Sequence, residues 1–201
     1  MKRVVLLVCL FAMTGTAVAG FSIGFNQVKM PVYVDPDDFE LMTEEMNLLR
    51  LGGMFSSDFR VEGYVGYIKE TYETDPALIP AVEQEASGMA FGGGGYYVME
   101  APANTSFSIG ARFLYSSTTV EQSGAAWKLE TTAWCLDPLM RVDFAIPGAE
   151  QLAFFTEYGF RYAKATSVET ISGVQNTIDY TWSGLHTYAP PNVLAGVYYI
   201  F

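Results

Sequence analysis

The residues best suited to chemistry in this 201-residue chain are a set of arginines and carboxylates, a single histidine, His186, and a thiol, Cys135. The charged set is Arg50, Arg60, Glu62, Arg112, Glu157 and Arg161, with Arg141 and Asp143 as further candidates. Each alternates with apolar or aromatic neighbours, which is the period of a strand with two unlike faces. Enclosed away from water, such groups are costly unless paired, so they should form a bridged network. The same set could instead ring a charged constriction. His186 is followed by Thr187 and Tyr188 in a connecting segment, and Cys135 has no histidine near it in sequence. Neither makes a triad without partners placed by the fold. The run Gly92-Gly93-Gly94-Gly95 lacks the Gly-Lys-Ser/Thr of a phosphate loop and has strand character on both sides. No metal-ligand spacing is present. We therefore expect no catalytic residues, no metal and no cofactor.

Positioning this set begins with where the chain goes. Met1-Lys2-Arg3, a short apolar run and Ala17-Val18-Ala19 together read as a signal peptide over residues 1–19, leaving 20–201 as one domain. Cys9 follows Val8 and comes too early for a lipid-modified cysteine, so it belongs to the signal. The remaining Cys135 can form no intrachain disulfide. No later segment reaches about 18 apolar residues, so no membrane helix is expected. Half the residues are hydrophobic, with 14 Phe and 13 Tyr, an odd composition for an exported soluble domain and a fitting one for a barrel with aromatic girdles. Removing Lys2 and Arg3 from the 11 basic residues leaves nine against 22 acidic, a formal net charge of −13. Phosphates would be repelled, which disfavours nucleic acid.

Period-2 alternation recurs along the chain. Strands are expected over 20–28, 47–56, 59–70, 87–100, 105–120, 127–144, from 152 past 165, and 192–201. Pro31 and Pro36 should break the first, and 35–45 should be a solvated acidic loop or one or two helical turns. Pro138 should bring a bulge or break to the sixth. Residues 168–191 are expected to be a long connection, with a strand extension over 177–182. In the closing strand Val193, Ala195, Val197, Tyr199 and Phe201 share a face. Tight turns at Ser57-Asp58, 101–104 and 147–150 alternate with longer connections. An even number of antiparallel strands joined in this way makes a transmembrane barrel. In lipid every backbone group must be satisfied, so the last strand has to pair with the first.

The stretch 49–67, Leu-Arg-Leu-Gly-Gly-Met-Phe-Ser-Ser-Asp-Phe-Arg-Val-Glu-Gly-Tyr-Val-Gly-Tyr, resembles a common hairpin of the eight-stranded outer-membrane barrels of Gram-negative bacteria, the OmpA/OmpX-like and opacity-protein-like group. The ending Val197-Tyr-Tyr-Ile-Phe201 resembles their assembly signal, carried by Val197, Tyr199 and Phe201. The resemblance implies an all-β, eight-stranded antiparallel up-and-down barrel in the outer membrane. It implies as partners the membrane lipids, lipopolysaccharide included, and the barrel assembly machinery. For function it is weak, because the fold hosts adhesins, enzymes, small pores and anchors. We expect a structural or surface-interaction, adhesin-like role, with an extracellular partner met by the acidic loops 35–45 and 70–85 or by the aromatic segment around Tyr180, Trp182, His186 and Tyr188. The lumen should be plugged by its charged side chains, since eight strands leave room only for side chains. The alternatives are a narrow pore for small solutes and a lipid-modifying enzyme. One group of such enzymes uses a His-Ser-Glu arrangement at the outer rim, and its local motif is absent around His186. A lipid-facing charge is costly, so Val65→Arg should harm more than Gly66→Arg unless the glycine is needed for packing.

Overall fold

Alternating residues can satisfy their backbone only by pairing, and here each strand pairs with the next. The computed structural model describes residues 19–34, 41–73, 83–101, 104–122, 126–185 and 194–201. They form β1 (Ala19–Val34), β2 (Leu41–Ser56), β3 (Phe59–Glu73), β4 (Glu83–Ala101), β5 (Thr105–Gln122), β6 (Trp127–Ile146), β7 (Ala149–Ile171), β8 (Val174–Leu185) and β9 (Leu194–Ile200). From β1 to β7 every neighbour in sequence is an antiparallel neighbour in the sheet. β8 pairs with Phe160–Ile171 of β7, and β9 pairs with Leu152–Glu157 of the same edge. These two segments therefore share one position, and the ring has eight positions. β9 closes it on β1, Ser22 opposite Ile200 and Asn26 opposite Gly196.

The two faces of each strand meet different surroundings. On β6, Leu129, Thr131, Ala133, Cys135, Asp137, Leu139, Arg141 and Asp143 point inward and are buried. Leu136, Met140 and Phe144 between them are exposed on the outer wall. Exposed rings gather at two heights. Near the tight turns stand Phe21, Phe59, Phe144, Phe154, Tyr199 and Phe201, with Phe21 and Tyr199 both packed against Phe201. Further along, Phe91 packs on Tyr115, and Phe113, Trp134 and Tyr162 form a continuous ring contact. Two aromatic belts around an apolar wall are what a lipid-facing barrel surface requires.

Several boundaries differ from the expectation. β1 does not break at Pro31: it continues to Val34, and a register shift between Pro31 and Tyr33 accommodates the missing donor. Residues 41–45 are strand, not helical turns, because Glu45 and Thr43 pair with Lys29 and Pro31. Pro138 causes no bulge. It lies opposite Ala111 in an unbroken ladder to β5, and the β7 ladder skips residues 137–138 and resumes in the same register. The expected long connection at 168–191 is largely a hairpin. β7 runs to Ile171, and Ser172 (φ 49°) and Gly173 (φ +86°) make a two-residue turn into β8. Positive φ at both central positions is the twist-matched hairpin geometry. Residues 35–40 of the acidic loop lie outside the described residues, as do His186 and Tyr188.

The comparison of Val65 with Gly66 changes as well. Val65 is exposed on the outer wall, and Arg there is expected to cost about 2–4 kcal/mol at mid-membrane. A Cβ on Gly66 would collide with the Leu48 side chain and lie 2.9 Å from the Asn47 carbonyl oxygen and 3.2 Å from Met46 Cγ. The glycine is needed for packing, so Gly66→Arg should match or exceed the effect of Val65→Arg. Urea unfolding of the refolded variants checks this; a Gly66→Arg barrel as stable as wild type would contradict it.

Candidate functional site

Strand pairing brings the inward charges of β2, β3, β5, β6 and β7 to one level of the interior. Arg50, Arg60, Glu62, Arg112, Glu157 and Arg161 are all buried there, with Arg141 and Asp143. Glu62 is the hub of the half nearer the tight turns. Its Oε1 lies 2.7 Å from Arg50 Nη2, 3.1 Å from Arg60 Nε and 3.0 Å from Arg141 Nη1. Tyr64 donates its hydroxyl hydrogen to the other carboxylate oxygen, and the Tyr64 and Tyr96 hydroxyls are 2.8 Å apart. Asp143 accepts from Arg141 Nε at 2.9 Å and from Arg60 Nη2 at 3.2 Å, and Arg60 also reaches Ser108 Oγ at 3.0 Å.

The second half is built on Asp137. Arg161 donates to it through Nε and Nη2, both at 2.7 Å, and Arg112 through Nε and Nη2 at 3.2 and 3.1 Å. Arg112 Nη1 then reaches Glu157 Oε2 at 2.7 Å. Glu157 Oε1 lies 3.6 Å from Arg141, which ties the two halves together. Such forked, multiply bonded guanidinium–carboxylate pairs are the geometry in which buried charge is tolerated. Rings cover the remaining faces: Arg141 Cζ sits 3.7 Å from the Phe155 ring centroid, and Arg50 Cζ sits 4.2 Å from that of Tyr198.

One pleat beyond the charges, toward the end away from the tight turns, the interior becomes apolar. Leu48 and Met46 follow Arg50, Tyr64 and then Ile68 follow Glu62, Leu114 follows Arg112, and Cys135 and Ala163 lie beside Asp137 and Arg161. Cys135 is thus a wall residue of an apolar collar. Beyond it lie small polar groups, with Thr131 Oγ1 and Ser167 Oγ 2.8 Å apart. Among the described residues no group of His, Cys, Asp and Glu is placed to hold a metal ion.

Sequence reasoning missed Asp137 and the rings of Phe155, Tyr96 and Tyr198. For Asp137 the signal was present: Cys135, Asp137, Leu139, Arg141 and Asp143 keep a strict alternation that Pro138 does not disturb. Phe155 stood out only as an apolar residue on a polar face. Its reason is tertiary, since two guanidinium groups, of Arg50 and Arg141, pack against its ring.

This closed antiparallel ring superposes on the crystal structure of a major outer membrane protein from Thermus thermophilus with a TM-score of 0.54 at 11% identity, covering 90% of this chain and 98% of that one. The fold is that of a small outer-membrane β-barrel. Looser superpositions are found with Neisserial surface protein A (TM-score 0.46, 14% identity, 90% of this chain and 96% of that one) and with Ail, the attachment invasion locus protein of Yersinia pestis (0.40, 12%, 90% and 97%). No sequence-family model and no curated protein matches the chain. In this barrel the ionic network lies in the interior at the level of the tight-turn half, and the strands continue past it on the other side.

Proposed function

We propose that this chain is an integral outer-membrane protein of a Gram-negative bacterium whose barrel is a closed, rigid base for surface-exposed strands, in a structural or adhesin-like role. The observation that carries the reading is the buried ionic network. Arg112, Arg141, Asp137, Glu62 and Glu157 are essentially inaccessible and paired with one another across the interior, which supports a closed lumen. The outer belts supply the lipid contact. On this reading the tight-turn end faces the periplasm, and the opposite end carries ribbons beyond the wall. One of them is the β7–β8 hairpin, whose tip exposes Ile171 and Val174 beside Glu169, Thr170, Gln175 and Asn176. Recognition residues commonly sit on such projecting segments of a rigid scaffold.

Its partners are then the outer-membrane lipids with lipopolysaccharide, the barrel assembly machinery during insertion, and an extracellular partner at the projecting end. Tyr199 and Phe201 on the outer face and half-buried Val197 are the residues assigned to the assembly contact.

Planar-bilayer recordings of refolded protein test the closed interior. Pure barrel is expected to leave the baseline unchanged, without discrete steps. Regular unitary steps would replace this reading with the narrow-pore alternative. Removing residues 169–176 should leave a folded, heat-modifiable barrel and abolish surface binding; undiminished binding would place recognition elsewhere.

A further inference from the structure

We propose that the interior binds one small monovalent anion of the halide class, held by Arg50 and Asn26. The charges of the interior divide into two groups. Arg112 and Arg161 are matched by Asp137 and Glu157, and the pairing is complete. Arg50, Arg60 and Arg141 share Glu62 and Asp143, and Arg141 also lies 3.6 Å from the Glu157 carboxylate that Arg112 engages, so these five arginines meet four carboxylates and one positive charge is left over among the described residues. The excess localises at Arg50. Arg60 and Arg141 each meet both carboxylates, whereas Arg50 meets Glu62 alone, through one nitrogen lying off the line of its N–H bonds. Nε and Nη1 of Arg50 have no protein partner, although the side chain is 1% exposed. The guanidinium cannot lose its proton to relieve this, and an unbalanced buried cation is strongly unfavourable.

A second donor stands one pleat along on the neighbouring strand. Asn26 is buried and points inward from β1, two residues beyond Gly24, which is the register partner of Arg50. Neither atom of its side-chain amide has a partner. The positions facing this pair on β1 and β9 are Gly24 and Gly196, with Tyr198 packed over the first and the Phe155 ring over the second. The rings of Tyr198 and Phe155 hold the guanidinium plane at 4.2 and 5.1 Å while supplying no acceptor for its N–H edge. One surplus charge and two neighbouring donor groups match a single-atom anion. Phosphate or sulfate would bring more charge than the site offsets.

Crystals of the refolded wild-type barrel grown in sodium bromide should show one buried anomalous peak within hydrogen-bond distance of Arg50 and Asn26. In solution, replacing methanesulfonate by chloride at constant ionic strength should raise the thermal unfolding midpoint along a saturating curve. Asn26→Leu should shift that curve to about tenfold higher chloride, and Arg50→Met should abolish it. A water at the site, bromide only on the surface, or identical midpoints in the two salts would overturn the proposal.

Discussion

Glu62→Ala is expected to destabilise the barrel by about 3–5 kcal/mol, the range for breaking a buried ion pair from one side. Three guanidinium groups share Glu62 Oε1 within 3.1 Å, and Tyr64 bonds its second oxygen. Removing the carboxylate strands three cations and a phenol in a space that water does not enter freely. Relocation is no remedy, since Arg60 would have to rely on Asp143, Arg141 on Asp143 and a Glu157 oxygen 3.6 Å away, and Arg50 would have no carboxylate at all. Equilibrium urea unfolding of refolded protein, followed by tryptophan fluorescence, reads this directly. Lys69→Ala is the control. Lys69 pairs with Glu85 at 2.7 Å, but both side chains are more than half exposed, so its removal should leave the midpoint unchanged. Equal midpoints for Glu62→Ala and wild type would show that the network fills space without contributing stability.

Gly24→Val should prevent the ring from closing. A Cβ on Gly24 would strike the Val197 carbonyl oxygen and lie 2.8 Å from Tyr198 Cα, both on the strand that seals the barrel. These are backbone atoms, so the contact is relieved only by separating β1 from β9. Overpacking of this kind costs about 1–3 kcal/mol even in a soluble core. Here it also leaves ladder groups unpaired in lipid, at several kcal/mol for each. Loss of the heat-modifiable folded band on unheated gels is the expected readout. Gly63→Val tests the explanation, because a Cβ at Gly63 meets only the Leu51 carbonyl oxygen at 3.9 Å. If Gly24→Val folded as Gly63→Val does, close approach at the seam would not be what fixes the glycine.

The hairpin of β2 and β3 was legible almost residue by residue. Leu49-Arg50-Leu51 and Phe59-Arg60-Val61-Glu62 alternate without fault around Ser57-Asp58, and a period of two has only one way to place charges inward and apolar groups outward. Pairing between β9 and β1 was equally legible, because a sheet in lipid must close. The β7–β8 hairpin was not. Its strands, such as Thr166-Ser167-Val168-Glu169 against Gln175-Asn176-Thr177-Ile178, carry no lipid-facing apolar row, so composition alone resembled a loop. Ser172-Gly173 was the available turn signal.

The sequence by itself determined which residues enter the interior, because alternation assigns each side chain to one face before any partner is known. Only the tertiary structure decided how those residues are shared: that Glu62 serves three arginines, that Asp137 serves two, and that Arg50 keeps unpartnered donors. Inward placement is a local property of the backbone. Pairing depends on strand stagger around the closed ring, which brings Arg141 of β6 to Glu62 of β3 across 79 residues of chain.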